Sequence, residues 1–204
     1  MRKVKLILII FSALISVCPD ADATRPVKFR YGAEWGIGVN MLSAINGSYI
    51  TEEGYLVESD ELKYSVHASG SMSAFAGVEI SRSLGFRLYS GYMGLTRKEH
   101  VVPISMRILW NFNGNAAQTS SSIFAEAGAG FRKGFRPSAV GKLGYSYRCC
   151  LSEHVALELN AGWQVSYSHP YLYDKYSGHY VTEDKLGISK SLNAGIFMTI
   201  GLIF

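Results

Sequence analysis

The last thirteen residues of the chain place an apolar side chain at every second position and end on an aromatic residue. Because side chains alternate across a β-strand with a period of two, one face of this strand is apolar. That face consists of Leu192, Ala194, Ile196, Met198, Ile200, Leu202 and Phe204. The opposite face is small and polar, apart from Phe197 and Ile203. The pattern predicts a final strand with one side in apolar surroundings and the other against polar groups.

The amino terminus predicts a secretory signal peptide at residues 1–23. A basic start and an apolar run over residues 6–17 lead to the small-residue sequence Ala21-Asp22-Ala23. An alternative is a retained transmembrane helix, but a run of about a dozen residues is shorter than the ~20 that a spanning helix needs. We therefore expect cleavage after Ala23, which leaves residues 24–204 as a single domain.

The three cysteines predict neither a disulfide nor a metal site. Cys18 lies within the signal peptide, where the preceding Leu14-Ile-Ser-Val resembles a lipobox and makes lipidation an alternative. Cys149 and Cys150 are adjacent on one predicted strand, so their side chains point to opposite faces and a bridge between them would need strained geometry. We expect both to be small, half-buried residues.

Charge and hydropathy narrow the class of protein. Removal of the signal peptide takes away three basic and two acidic residues, which leaves 17 Lys and Arg against 14 Asp and Glu. This small excess of positive charge does not indicate a nucleic-acid-binding surface. Beyond the signal peptide no apolar stretch reaches the length of a spanning helix, so a membrane protein with this sequence must be a closed β-barrel. The 21 glycines and 13 tyrosines suit sharply coiled strands and a membrane boundary.

Period-two alternation predicts eight strands in the mature chain. They cover about residues 28–40, 70–81, 85–96, 101–112, 123–132, 142–151, 155–167 and 190–204. In the third strand two apolar sets compete for the outer face, and Arg87 favours the set with Phe86, Leu88 and Tyr92. The strands predict an all-β, eight-stranded antiparallel up-and-down transmembrane β-barrel.

Two segments lose the alternation and are predicted to be long exposed loops. Residues 41–69 collect Asn46-Gly47, Glu52-Glu53-Gly54 and Asp60-Glu61, and residues 168–189 follow the seventh strand. Membrane barrels have short periplasmic turns and longer outer loops. Both termini are therefore expected in the periplasm, with the two long loops displayed outside.

Three strand segments and the aromatic carboxyl terminus resemble the small outer-membrane β-barrel family that includes PorT-like and OmpA-like eight-stranded barrels. The segments are Gly85-Phe-Arg-Leu-Tyr-Ser-Gly-Tyr-Met-Gly-Leu95, Val102-Pro-Ile-Ser-Met-Arg-Ile-Leu-Trp-Asn-Phe112 and Glu126-Ala-Gly-Ala-Gly-Phe-Arg132. The resemblance implies location in the cell outer membrane, in contact with its lipid. It also implies that the barrel assembly machinery recognises the final strand through Phe204. Such barrels have many unrelated functions, so the resemblance does not indicate a specific function.

The inward faces of the predicted strands carry charged and polar residues of both signs. They are Arg30, Glu34, Glu79, Arg87, Arg107, Glu126, Arg132, Lys142, Arg148, Glu158 and Gln164. An eight-stranded barrel is just wide enough for side chains to fill it, and buried charges are tolerated when paired. We therefore expect a structural polar network in the lumen, and the alternative is an ion path.

The remaining motifs predict no catalytic, cofactor-binding or metal-binding residues. The five histidines are scattered without metal-ligand spacing, and no nucleophile has a supporting base. The last loop carries an aromatic cluster for which two interpretations are open. Tyr171, Tyr173, Tyr176 and Tyr180 are placed to contact sugars or an extracellular or periplasmic protein partner, or to belong to the interfacial aromatic girdle.

Taken from the residues alone, the function predicted first is that of a non-enzymatic integral outer-membrane barrel. Its lumen is filled by side chains, and it has a structural role or binds through its outer loops. One alternative is a small, porin-like channel for ions or solutes. The other is a soluble secreted ligand-binding barrel, which would keep apolar residues inside and charged residues outside; the nearly uncharged outward faces argue against it.

Overall fold

The computed structural model describes residues 27–51, 53–81, 83–96, 99–112, 119–133, 136–152, 154–174, 177–182 and 185–204. The strands are β1 (Lys28–Ile50), β2 (Leu56–Glu79), β3 (Leu84–Thr96), β4 (Glu99–Asn111), β5 (Ser120–Phe131), β6 (Ser138–Cys150), β7 (Ala156–Ser168) and β8 (Leu186–Ile203). The predicted signal peptide and Cys18 lie outside these ranges. Within them, no helix is long and apolar enough to cross a bilayer.

Each strand pairs with its neighbours in sequence, and β8 returns to pair with β1. All the pairings are antiparallel, and the closing ladder runs from Gly32 opposite Ile203 to Tyr49 opposite Leu186. Phe204 completes this seam, because its amide donates to the carbonyl of Tyr31 at 2.8 Å. Closure leaves the barrel wall without a free sheet edge. The predicted eight-stranded antiparallel barrel is thus confirmed.

Alternation along the strands places apolar side chains on the outer surface. In β3, Leu88 and Tyr92 are exposed whereas Tyr89, Met93 and Leu95 are buried, so the outer set favoured by Arg87 is confirmed. In β8 the predicted apolar face is also the outer one. The two apolar residues that depart from its pattern, Phe197 and Ile203, are buried inside the barrel.

The prediction of a long loop at residues 41–69 is wrong. β1 continues to Ile50 and β2 begins at Leu56, so only a turn over residues 51–55 separates them, with Gly54 at a φ of 88°. Two features explain why the alternation of apolar residues does not reveal these strand segments. A register shift between Asn40 and Leu42 moves the inward positions of β1 from even to odd numbers, which interrupts the period of two. Residues 46–61 also carry polar or charged side chains on both faces, whereas Leu62, Tyr64 and Val66 still form an exposed apolar outer face.

The upper part of this hairpin forms a small sheet that projects beyond the other strands. Residues 56–70 of β2 pair only with β1, since the pairing of β2 with β3 begins at Ser71. Residues 186–190 of β8 pair with β1 on its other side. We call residues 42–50, 56–70 and 186–190 the extension. The barrel end that carries it is the extended end, and the opposite end, with the start of β1 and the end of β8, is the terminal end.

The second predicted loop, residues 168–189, is shorter than expected because β7 ends at Ser168 and β8 begins at Leu186. The connection between them folds back on itself. The amide of Asp174 donates to the carbonyl of His179, and the amide of Val181 donates to that of Leu172, both at 2.9 Å. A β-bridge joins Tyr173 to Tyr180 within this turn.

Outward aromatic residues gather at the terminal end of the barrel. They are Phe29, Tyr31, Trp110, Phe112, Tyr147 and Phe204. The rings of Tyr31 and Phe204 stack with their centroids 5.7 Å apart. An aromatic row at the limit of an apolar wall is typical of a membrane–water interface.

Closure of the sheet predicts heat-modifiable migration on a detergent gel. A closed barrel keeps its ladder hydrogen bonds within the wall, so the unboiled protein is expected to stay compact in mild detergent and to migrate faster than the boiled protein. Electrophoresis of the two samples side by side measures the difference. The same mobility before and after boiling would contradict a stably closed barrel.

Candidate functional site

The centre of the barrel is organised around Arg107, which lies on β4 and has an exposed fraction of 0%. Its Nη1 and Nη2 donate to the two carboxylate oxygens of Glu34 at 2.9 and 3.1 Å. Its Nε and Nη2 donate to Oε2 of Glu126 at 2.9 and 2.7 Å. One guanidinium therefore binds two carboxylates through the fork geometry that makes arginine suited to such pairs.

Further polar groups around Arg107 contact the same two carboxylates. Thr199 and Asn160 donate to Glu34 at 2.8 and 3.2 Å. Ser105 donates to Glu126 at 2.7 Å, and the ammonium group of Lys142 lies 3.6 Å from the same carboxylate.

Two aromatic rings cover the guanidinium of Arg107. The rings of Tyr89 and Phe124 each have their centroid 4.2 Å from Cζ of Arg107. A cation over an aromatic face is attracted by the ring quadrupole, and more strongly where water is excluded. The central charge is therefore held both by carboxylates and by aromatic faces.

A second charged cluster fills the lumen toward the terminal end. Arg87 binds both oxygens of Glu158 at 2.6 and 2.8 Å. Arg148 lies 3.4 Å from Glu158 and donates to Glu79 at 2.8 Å, and Arg30 reaches the same Glu79 at 3.4 Å. Acidic and basic groups alternate through the cluster, so each arginine in it contacts a carboxylate.

A third, smaller cluster lies at the extended end. Arg132 donates to Glu99 at 3.3 Å and to the carbonyl oxygen of His169 at 3.1 Å, and Ser168 donates to Glu99 at 3.2 Å. Glu99 is not among the predicted lumen residues, because the predicted fourth strand begins at residue 101 whereas β4 begins at Glu99. Glu99 and Arg107 are separated by an even number of residues, so both lie on the inward face of the strand. This spacing could have identified Glu99 as a lumen residue.

The ten charged residues predicted for the lumen all lie in these three clusters. Gln164, the remaining predicted lumen residue, donates to Asn40 at 3.1 Å. Apolar layers occupy the interior between the charged groups. They comprise Met93, Leu95, Val101 and Val140 in one cluster and Leu109, Phe124 and Phe197 in another. Side chains thus fill the barrel over the height of these layers.

Above the charged clusters, at the extended end, lies a cavity of about 970 Å³, which we call the vestibule. Its walls are formed by residues of β1 and β2, the rim of β8 and the β7–β8 connection. Its floor is formed by side chains of the barrel rim. The lining residues are Asn40, Ser43, Ile45, Lys63, Val66, His67, Ala68, Leu95, Glu99, Pro170, Tyr171, Tyr180, Ser191 and Asn193.

The connection that supplies two tyrosines to the vestibule is anchored on the inner face of the extension. The hydroxyl of Tyr49 donates to Asp174 at 3.1 Å. Leu172 packs against Gly47 so closely that a Cβ at that position would lie 2.6 Å from Leu172 Cδ1. The hydroxyl of Ser189 also donates to the carbonyl of Pro170. These contacts fix the position of the connection relative to β1 and β8.

Three of the four tyrosines predicted for loop binding come together. The Tyr171 and Tyr180 rings meet edge to face, with centroids 6.2 Å apart. The Tyr173 and Tyr180 rings also meet edge to face, with centroids 5.3 Å apart. Tyr171 and Tyr180 line the vestibule, and Cζ of Arg132 lies 4.8 Å from the Tyr171 centroid. Tyr176 lies outside the described residues.

Phe204 and the cysteines lie away from the vestibule. Phe204 is on the outer surface at the terminal end, as the alternation predicts. Cys149 and Cys150 are both half-buried, as predicted. In the part of the chain that the structure describes, no group of three or more His, Cys, Asp or Glu side chains is placed to hold a metal ion.

Comparisons with known proteins give structural similarity only. No family model and no curated protein matches the chain, so the PorT-like or OmpA-like resemblance stays a prediction. The crystal structure of Neisserial surface protein A (NspA) is similar over 88% of this chain and 98% of that chain, at 13% identity and a TM-score of 0.47. A Salmonella type III secretion injectisome secretin, InvG in the open gate state, is similar over 100% of this chain and 64% of that chain, at 10% identity and a TM-score of 0.24. The strand pairing alone establishes the fold.

Proposed function

We propose that this chain is an integral outer-membrane β-barrel with a filled, non-conducting lumen that acts through its extended end. The single observation that carries the proposal is the inverted distribution of side chains. Charged groups are enclosed in the lumen, whereas large apolar groups cover the outer wall. Such a distribution is stable when hydrocarbon surrounds the wall.

Exposed apolar side chains in the middle of the outer wall support the proposal that lipid surrounds the barrel. Leu88 on β3, Ile104 on β4, Leu143 on β6 and Met198 on β8 have exposed fractions between 49% and 59%. Soluble proteins rarely expose contiguous apolar patches larger than a few hundred Å². This band opposes the alternative of a soluble secreted ligand-binding barrel, whose apolar residues would face inward.

The ion pairs and aromatic rings of the interior argue against the alternative of a channel. Arg107 bridges Glu34 on β1 and Glu126 on β5, so its ion pairs cross the lumen, and Phe124 and Phe197 lie in the same region. An ion crossing the lumen would have to break buried charge pairs that compensate one another's loss of water.

The lumen proposal is tested by electrical recording in planar lipid bilayers. We expect the purified full-length mature chain to give no steady open-state current, while a known porin reconstituted in parallel conducts. Steady channels that scale with the amount of folded barrel would contradict the filled lumen. A lumen that stays closed would support it.

The same proposal assigns the extended end to the outside and both termini to the periplasm. Two connections at the terminal end are short, residues 80–83 and 151–155, and the third spans residues 112–119. The long hairpin and the longer β7–β8 connection, residues 169–185, lie at the other end. Outer-membrane barrels distribute their connections in this way. The orientation rests on export by the signal peptide proposed at residues 1–23.

Phe204 is proposed to act in assembly by the barrel assembly machinery. We expect its deletion to remove at most about 1.5–3 kcal/mol of apolar burial, so that refolding in detergent persists. In cells we expect a much larger loss of outer-membrane protein, because the terminal aromatic residue is then missing from the final strand. Refolding yield in vitro and outer-membrane abundance in vivo are compared for the same variant.

The matched control for this deletion is Phe204→Tyr, which keeps a ring that can stack on Tyr31. This control is expected to assemble like the original chain. Wild-type abundance of the deletion variant in the outer membrane would remove the support for an assembly signal at this position.

The proposed role is therefore structural, or one of binding at the extended end, and non-enzymatic. Outer-membrane lipid and the assembly machinery are the partners that this role requires. An extracellular or periplasmic protein partner is a further proposal, and the extended end is the surface available to an extracellular one.

A further inference from the structure

We infer that the vestibule is a binding site for an uncharged saccharide, with Tyr171 and Tyr180 as the surface on which a sugar ring packs. The inference deepens the proposed function, on which the exposure of the vestibule to the cell exterior rests. It follows from four properties of the cavity: its size, the pairing of its charges, an unpaired amide and its aromatic wall.

The size of the vestibule suits a small ligand. Its volume of about 970 Å³ is near the upper end of the range for small-molecule sites, about 300–1,000 Å³. Its walls come from β1, β2, β8 and the β7–β8 connection, and the contacts of Leu172 and Asp174 hold the connection in place. The cavity is therefore largely formed before a ligand binds.

The charged groups that line the vestibule already have partners of opposite charge. The ammonium group of Lys63 contacts the carboxylate of Glu61. Glu99 is held by Arg132 and by the hydroxyl of Ser168. The other polar lining groups are amides, hydroxyls and the His67 imidazole. A lining of this kind favours a polar ligand without net charge over a phosphate or a carboxylate.

The amide of Asn193 has hydrogen-bonding capacity that the fold leaves unused. Its Oδ1 accepts from the hydroxyls of Ser43 and Ser191 at 2.6 and 3.1 Å. Its Nδ2 has no partner within the described part of the chain, although the residue is only 1% exposed and lines the cavity. A buried donor without an acceptor is unfavourable. Because Nδ2 is itself buried, a ligand hydroxyl oxygen supplies the missing acceptor once the side chains around Nδ2 move aside.

The aromatic wall selects for a ligand with an apolar face. The exposed fraction of Tyr171 and of Tyr180 is 44%, although both lie in an anchored connection. Arg132 packs over Tyr171, and Tyr173 supports Tyr180. A pyranose ring presents C–H groups on its faces and hydroxyls at its edge. It can therefore pack on a tyrosine while its hydroxyls reach the amides and hydroxyls of the opposite wall.

The test uses the full mature chain refolded in a detergent without a sugar headgroup. Saturation-transfer NMR is recorded with cellobiose, lactose and N,N′-diacetylchitobiose, and with a disaccharide that contains glucuronic acid as the charged comparison. We expect saturation transfer to at least one neutral disaccharide, and weaker transfer to the charged one. Because binding is measured in detergent, a failure here leaves membrane location and conductance to be judged by their own experiments.

Three variants locate the site. Tyr180→Ala is expected to weaken binding at least about tenfold, which corresponds to about 1.4 kcal/mol. Tyr180→Phe keeps the ring and should retain most of the affinity. Asn193→Asp keeps the acceptor for both serine hydroxyls but loses the amide donor, and should also weaken binding. Heat-modifiable migration of each variant shows that the barrel is folded.

Three results would overturn the inference. The first is the absence of transfer to all the neutral disaccharides with the folded wild-type chain. The second is binding that Tyr180→Ala and Asn193→Asp leave unchanged. The third is preferential binding of the charged disaccharide.

Discussion

Replacement of Arg107 by leucine is expected to cost the folded barrel about 3–5 kcal/mol, the range for breaking a buried ion pair by removing one partner. The variant leaves Glu34 and Glu126 buried without the guanidinium that binds both of them. It also removes the cation between the rings of Tyr89 and Phe124. Urea unfolding of the barrel in lipid vesicles, followed by tryptophan fluorescence, measures the change in the free energy of unfolding.

Two matched variants separate an unpaired charge from a lost side chain. Adding Glu34→Gln and Glu126→Gln to Arg107→Leu removes the uncompensated carboxylates, so the triple variant should recover much of the lost stability. Lys63→Leu breaks an exposed ion pair and should change stability by no more than about 1 kcal/mol. Equal losses in the single and triple variants would contradict the account of the central cluster.

Ile104→Arg is expected to destabilise the membrane-inserted barrel by about 2–4 kcal/mol, the range for a basic residue at the bilayer midplane. Ile104 lies on β4 with its side chain on the outer wall, where 49% of it is exposed in the absence of lipid. The variant places a charge where the proposal places hydrocarbon. Reversible folding into lipid vesicles measures the effect.

The controls for Ile104→Arg test depth as well as charge. Ile104→Leu keeps an apolar side chain and should change stability little. Asp60→Arg introduces the same guanidinium into the extension, where water surrounds it, and should be nearly neutral. Equal costs at residues 60 and 104 would mean that the outer wall does not face lipid.

The fold could be predicted from the sequence because the outer wall and the lumen of the barrel impose opposite requirements on alternate residues. The run from Leu192 to Phe204 shows this most clearly, and its exceptions, Phe197 and Ile203, fill the interior. The same requirement no longer applies in much of the extension. There the hydrogen bonds of β1 and β2 continue, but both faces carry polar or charged side chains, and the shift after Asn40 changes the phase of the alternation. Residues 46–61 therefore give no clear period of two, although Leu62, Tyr64 and Val66 still alternate with polar residues and indicate the second strand.

The lumen clusters and the vestibule also differ in how far they could be predicted from the sequence. The charged residues of the lumen lie on strands with clear alternation, so their side could be predicted, although which carboxylate Arg107 binds depends on the stagger of the strands. The vestibule could not be predicted. It brings together Ser43, Lys63, Tyr180 and Asn193, which are far apart in sequence and come from three strands and a connection. Of the residues that line the vestibule, the sequence predicts a binding role for Tyr171 and Tyr180, because aromatic residues are concentrated in that segment.

The most direct test of the central claim is accessibility labelling of the two barrel ends in intact cells. In a background with Cys149→Ser and Cys150→Ser, single cysteines are introduced as Asp60→Cys in the extension and His154→Cys at the terminal end, both at exposed positions. A maleimide that does not cross the outer membrane is then applied before and after permeabilisation. An outer-membrane barrel with its extended end outside predicts labelling of residue 60 on intact cells and of residue 154 only after permeabilisation. The reverse pattern, or protection of residue 60 on intact cells, would contradict the account.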